Sequence, residues 1–315
     1  MRGHMRQLGR NATVPNAKAL DAGKVMPVVA VINRKGGSGK STLATQVAGC
    51  LANRGLQVML GDVDRQQSSL AWLRRRAAQP LAKNAAIVGW AFGAKSVLRP
   101  PAGITHVVLD TPGGLCGYEL ARVVMSADAI LIPVGDSIFD RESALECHAE
   151  LMTLPRVASG RCKVGIVGMR LDARTKPAPR MLAWANEHAL PYVGSVRESQ
   201  LYPRGAESGL TVFDAEADKV QADLAQWKPV MDWVEAAWAA AEKMESSSKT
   251  AVPVSAPSIA RTAPAAASRR RTLVRAPLPV PSAPASEFRT SREIVRPTPR
   301  AQRLGWLFTV FRAWA

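Results

Sequence analysis

"AVINRKGGSGKST", Ala30 to Thr42, decides how the rest of the chain is read. A short β-branched run, "PVVAVIN" (27–33), leads into it, and afterwards Leu43, Val47 and Leu51 recur at every fourth position. A strand that ends in a glycine-rich turn and opens a helix lets backbone N–H groups curl around phosphate oxygens. The helix N-terminus adds partial positive charge there. The common spacing of such a loop is G-x-x-x-x-G-K-[ST]. Gly39, Lys40 and Ser41 supply its end, but Arg34 occupies the opening glycine position and a second lysine, Lys35, follows it. Losing the first glycine changes the entry to the loop and not the cradle of Gly36, Gly37, Ser38 and Gly39. Lys40 is assigned to the outer phosphates, Ser41 to Mg2+ and Thr42 to an inner phosphate.

Outward from the loop, buried strands alternate with helices. "LQVMLGDVD" (56–64), "ITHVVLD" (104–110), "AILIPV" (129–134) and "CKVGIVGM" (162–169) read as strands, being continuous apolar runs. Helices are expected at 43–54, after Gln67, and around 117–126, 140–152 and 177–188. A long Ala- and Trp-containing helix is expected at 215–243, with a break at Pro229. The pattern predicts an α/β fold: a mostly parallel, doubly wound sheet with its ligand at the carboxyl ends of the strands. Mg–triphosphate binding also requires carboxylates at strand ends, and two places offer them. Asp110 closes "THVVLD", where it would hold the metal's water shell. Asp62 and Asp64 lie two residues apart, so a turn is needed to bring one to the metal and the other to an attacking water.

Together, "KGGSGKST", "GDVDRQQS" and "VVLDTPGG" resemble the deviant Walker A ATPases of the ParA/MinD type. The likeness covers about residues 27–240 and looks closest to the MipZ-like branch, because "PVGDSIFD" and later "GLTVFD" follow. The resemblance implies a P-loop NTPase fold, ATP and Mg2+ as cofactors, and a slow, partner-stimulated ATP hydrolase that closes into a nucleotide-sandwich homodimer. It implies that Lys35 reaches across the dimer to the partner's phosphates. Lys40 would bind phosphate, Ser41 and Asp62 would serve the metal with Asp110, and Asp64 would orient the hydrolytic water. Two departures stand out: Arg65 replaces the usual proline of D-x-D-P-Q, and Met169 occupies the position of an adenine-contacting asparagine. A nitrogenase-reductase-like iron–sulfur protein would need a second cysteine to pair with Cys116, and none falls at a suitable place. A ligase or amidase would need an extra substrate domain that the body does not have room for.

Charge divides the chain. Of 42 Lys+Arg and 25 Asp+Glu, residues 1–25 hold five and one, residues 26–245 hold 25 and 22, and residues 246–315 hold 12 and two. The net charges +4, +3 and +10 sum to +17, so the body is near neutral and the ends are basic. Residues 1–25 are expected to form a flexible extension, 26–245 the ATPase domain and 246–300 a Pro/Ala/Arg-rich disordered linker. Residues 301–315, "AQRLGWLFTVFRAWA", are expected to form an amphipathic helix.

In the family the closed dimer binds DNA nonspecifically. The candidate basic face here is Arg170, Arg174, Lys176 and Arg180, with Arg197 and Arg204 beside it and "RRR" (74–76) as another patch. The expected role is to position a cellular cargo or the partition or division machinery from a cytoplasmic, nucleoid-associated location. The alternative is a MinD-like spatial regulator, peripheral at the inner membrane through residues 304–314. The thirteen residues "RLGWLFTVFRAWA" (303–315) reach only about 20 Å as a helix, too short to span a bilayer but enough to lie in its interface or in a partner's groove. Four scattered cysteines without C-x-x-C spacing argue against a zinc site or a disulfide framework.

Overall fold

The computed structural model describes residues 26–81, 86–91, 100–175 and 177–250. Seven strands form one sheet in the order β3-β2-β4-β1-β5-β6-β7, and every pairing is parallel. The strands are β1 Val28–Val31, β2 Val58–Asp62, β3 Ile87–Ala91, β4 His106–Asp110, β5 Ala129–Val134, β6 Lys163–Leu171 and β7 Tyr192–Arg197. The helices are α1 Lys40–Asn53, α2 Ser68–Arg76, α3 Gly117–Ser126, α4 Ile138–Met152, α5 Pro155–Ala158, α6 Pro177–Glu187, α7 Leu201–Ser208 and α8 Ala217–Thr250.

Parallel strands are buried on both faces, which is why β1, β2, β4 and β5 read as unbroken apolar runs. Alternation along β1 shows the two layers. Val28, Ala30 and Ile32 pack with residues of α3, α4 and α6, while Val29 and Val31 pack with α1 and α8. The five strands between the edges, β2, β4, β1, β5 and β6, match the sequence expectation closely. The two edge strands, β3 and β7, are not marked in the sequence: each is short, interrupted by a glycine (Gly89, Gly194) and only partly buried.

Two expectations for α8 need correction. It leaves helical geometry at Val220 (φ −127°, ψ 15°), and Pro229 lies inside the continuing helix. There the proline ring packs beside Gly194 of β7, whose missing side chain leaves room for it. The helix also runs to Thr250, so the first five residues assigned to the linker are helical. Ser246 and Ser247 donate their hydroxyls back to the Lys243 carbonyl at 2.9 and 2.8 Å. The extension 1–25, the rest of the linker and the expected helix 301–315 lie outside the described residues. No helix among the described residues is long and apolar enough to cross a membrane.

Candidate functional site: a phosphate loop beside two buried carboxylates

β1 occupies the middle of the sheet, and the loop after it rises between the ends of its neighbours β4 and β5. Asn33 fixes the start of this loop from a fully buried position. Its Nδ2 donates to the Pro133 carbonyl at 2.7 Å, and its Oδ1 accepts from Lys35 N–H at 2.9 Å and from Ser143 Oγ at 3.2 Å. Gly39 then starts α1 with φ +98°, a left-handed conformation that favours glycine. Met169 of β6 packs beside Gly39 and is buried, so the place of the expected adenine-contacting asparagine is filled by an apolar side chain at the foot of α1.

The two lysines of the loop have different environments. Lys40 is buried, and its Nζ donates to the Lys35 carbonyl at 2.8 Å and to Ser38 Oγ at 3.5 Å. Burial pushes its pKa below the ordinary lysine value, opposed by the charges of Asp110 and Asp64. Lys35 lies at the rim with a side chain 37% exposed, and its Nζ is 2.6 Å from Asp140 Oδ1. The Phe139 ring lies 6.0 Å from the same Nζ. Ser137 caps α4 by accepting from Asp140 N–H, and its hydroxyl donates to Asp140 Oδ2. Burial works to raise the Asp140 pKa, but the Lys35 and Ser137 contacts outweigh it and hold the carboxyl below its usual range.

Asp62 and Asp110 are direct register partners at the ends of β2 and β4, and both are buried. Asp62 organises the turn and the next helix: Oδ1 accepts from Asp64 N–H at 3.0 Å, and Oδ2 from Ser69 and Leu70 N–H at 3.0 and 3.2 Å. This turn carries Asp64 away from the strand direction, as its spacing required. A cavity of about 710 Å³ opens beside Asp64, lined also by Pro112, Glu119 and Arg122. Asp110 accepts the Ser69 hydroxyl at Oδ2, while its Oδ1 has no hydrogen-bond partner among the described residues. Burial raises its pKa to about 6, against the lowering effects of the Ser69 and Ser41 hydroxyls and Lys40.

A buried carboxylate oxygen without a partner, next to a hydroxyl and an ammonium group, fits a hard cation that keeps most of its water. Mg2+ binds through one or two protein oxygens plus phosphates and does not need an all-protein cage. No group of three or more His, Cys, Asp or Glu that could hold a metal ion is found among the described residues. Ser41 and Asp110 are the residues that would hold it. The loop after Asp110 is tied to the phosphate loop: Gly114 N–H donates to the Arg34 carbonyl at 2.7 Å, and Thr111 Oγ1 to the Val31 carbonyl at 2.7 Å.

A model of the CobQ/CobB/MinD/ParA nucleotide binding domain matches residues 29–263. The chain belongs to this family. It is 28% identical over 218 residues to maintenance of carboxysome distribution protein A of Gloeobacter kilaueensis, covering 67% of this chain and 95% of that protein. In structure it is similar to an ATP complex of an aspartate-to-alanine variant of Cyanothece McdA (TM-score 0.52, 18% identity, 68% of this chain and 97% of the other). A putative plasmid partition protein of Borrelia burgdorferi bound to AMPPNP gives TM-score 0.50 and 14% identity, covering 66% and 99%. The family and the P-loop α/β fold are therefore as the motifs implied, and the MipZ-like branch rests on the sequence motifs alone.

Among the described basic residues of the candidate face, three are paired with carboxylates. Arg174 is held by Asp172, Arg180 by Asp136 and Arg197 by Asp223. Arg170 is exposed at the end of β6 with φ +54°, Arg204 is exposed on α7, and Lys176 lies outside the described residues. The "RRR" patch divides: Arg76 is buried and pairs through both terminal nitrogens with Asp214, at 2.7 and 2.9 Å. Sequence reasoning did not identify Asn33, Ser69 and Asp140 as site residues. Of these, only Asp140 gave a signal, as the last residue of "PVGDSIFD".

Proposed function

We propose that this protein is an ATP-dependent dimerising switch that positions a cellular cargo. The observation carrying this reading is the separation of the two lysines: Lys40 is folded into the phosphate loop, and Lys35 is parked at its rim on Asp140. A lysine needed only to bind the chain's own phosphates would have no reason to be held outside the cradle. In this reading Lys35 leaves Asp140 for the phosphates of a second copy, beside the exposed Phe139 and Ile138. Bound Mg2+ supplies charge neutralisation at the β- and γ-phosphates. The chain's own groups do the rest. Backbone N–H groups from Gly36 to Thr42 cradle phosphate oxygens, Lys40 offsets their charge, and Asp64 orients the water that attacks the γ-phosphate. Hydrolysis removes the group that holds the dimer closed, so surfaces spanning both copies exist only with ATP.

The test is size-exclusion chromatography with a nonhydrolysable ATP analogue. Wild type shifts to a dimer, Lys35→Ala binds nucleotide but stays monomeric, and Asp64→Ala accumulates dimer with ATP while hydrolysing it slowly. A Lys35→Ala dimer like wild type would overturn the assignment. The Lys35–Asp140 pair lies at the surface and is worth at most about 1 kcal/mol, so the variant should melt nearly as wild type does.

The names of relatives, carboxysome distribution and plasmid partition, support a cargo-positioning role. The track proposed for it is nonspecific DNA at the nucleoid, contacted by Arg170, Arg174, Lys176 and Arg180 of the dimer, with a partner protein stimulating hydrolysis. Arg174 and Arg180 would exchange Asp172 and Asp136 for DNA phosphates, making binding steeply salt-dependent. Reversing both arginines to glutamate should abolish ATP-dependent DNA binding while ATP affinity stays unchanged; unaltered DNA binding would move the track elsewhere.

A further inference from the structure

Ser69 sits in the first turn of α2, fully buried, and bridges the two carboxylates of the site. Its backbone N–H donates to Asp62 Oδ2 at 3.0 Å, and its hydroxyl donates to Asp110 Oδ2. Asp110 Oδ1 is left as the oxygen without a partner among the described residues. A hydroxyl has one proton to give, and Ser69 gives its proton to Oδ2; the Ser41 hydroxyl also lies near this carboxylate, yet Oδ1 is the oxygen that stays open.

We propose that Ser69 is the positioning residue of the Mg2+ site: its hydroxyl occupies Asp110 Oδ2 and thereby presents Oδ1 to the metal's water shell. The inference rests on the Mg2+–nucleotide reading of this site. A group that orients a metal-associated carboxylate without touching the metal typically changes metal affinity by about 10- to 100-fold when removed. The bland reading makes Ser69 an anchor for α2 alone. The structure separates the two, because α2 has other anchors. Asp62 accepts from the Ser69 and Leu70 N–H groups, which no side-chain change removes, and Arg76 ties the far end to Asp214.

The experiment is a Mg2+ titration of binding of a fluorescent nonhydrolysable ATP analogue to the full chain. It is run for wild type, Ser69→Ala and Ser69→Cys beside melting of the nucleotide-free proteins. Ser69→Ala should raise the Mg2+ concentration at half-saturation by about 10- to 100-fold. Ser69→Cys, which keeps a weaker donor in a similar volume, should raise it less, and both should melt near wild type. Should Ser69→Ala fail to fold, Ser69→Cys decides the matter alone. Mg2+ curves that coincide with wild type, whatever the melting temperatures, would overturn the assignment and leave Ser69 as a helix anchor. Wild-type binding that ignores Mg2+ would instead overturn the underlying site.

Discussion

Two buried aspartates stand at opposite strand ends of the same sheet, one at the carboxyl end of β4 and one at the amino end of β5, and the protein treats them differently. Asp128, just before β5, is 3% exposed and fully used: it accepts Val28 N–H at 2.9 Å and Arg156 Nη2 at 2.6 Å, and Arg156 Nε also reaches the Ala127 carbonyl. Asp110, at the end of β4, is 0% exposed: Ser69 serves its Oδ2, Ser41 and Lys40 lie near, and Oδ1 accepts no hydrogen bond among the described residues. Burying a carboxylate is costly unless it is paired. Where the protein meets that cost within itself, the residue holds the fold together. Where it leaves an oxygen unmatched, the residue waits for something the chain does not supply. Desolvation pushes both pKa values up, so the difference lies in the partners and not in burial.

The largest effect that tests this contrast is on stability. Asp128→Ala leaves the Val28 N–H without its acceptor and Arg156 with only the Ala127 carbonyl and Glu245 at 3.8 Å, and should cost at the lower end of about 3–5 kcal/mol in unfolding free energy, with unchanged Mg–nucleotide affinity of the folded fraction. Asp110→Asn removes a buried charge that Lys40 and the Ser69 and Ser41 hydroxyls offset only in part, and should leave the nucleotide-free protein at least as stable at pH 7.5. Equal destabilisation by the two substitutions, measured by urea unfolding, would erase the distinction.

A smaller effect concerns pH. The Asp110 pKa is raised by burial from its ordinary 3.8 to about 6 in the folded state, so the folded chain binds a proton in that window and the unfolded chain does not. Stability of the nucleotide-free protein should therefore fall as pH rises from about 4 to about 6, by at most about 3 kcal/mol from this group. Asp110→Asn should remove that part of the slope. The smallest effect sharpens the functional half: Mg–nucleotide binding needs the ionised carboxylate and should weaken as pH drops below about 6. Isothermal titration calorimetry at pH 5.5 and 7.5 reads this directly, and equal affinities would mean that Asp110 does not serve the metal.

The sequence revealed the site's phosphate half better than its supporting half. Glycines, a lysine and a serine between a strand and a helix have few other uses, so Gly36 to Thr42 could be read locally. The paired aspartates were readable because strand-end carboxylates at a parallel sheet face a common edge. Ser69 and Asp140 were not, because each acts on a residue distant in the chain: Ser69 on Asp110, 41 positions away, and Asp140 on Lys35. The arginines show the same limit with the opposite sign. Arg76 resembled surface charge beside Arg74 and Arg75, and only the return of Asp214 to α2 makes it a buried structural cation. Strands β3 and β7 were missed because edge strands need little continuous apolar sequence.

Gly113 follows Asp110 by three residues, and a Cβ there would lie 3.1 Å from Gly36 Cα and 3.2 Å from its nitrogen. The phosphate loop and the loop after Asp110 thus touch through bare main chain. Such a contact has no side chain through which it could be strengthened, weakened or retuned by degrees; substitution can only keep it or break it. Glycine at this place therefore works as a diagnostic mark. Among distant chains with the same loop, a larger residue here would betray a machine whose two loops have come uncoupled, even where every chemically active residue is still present.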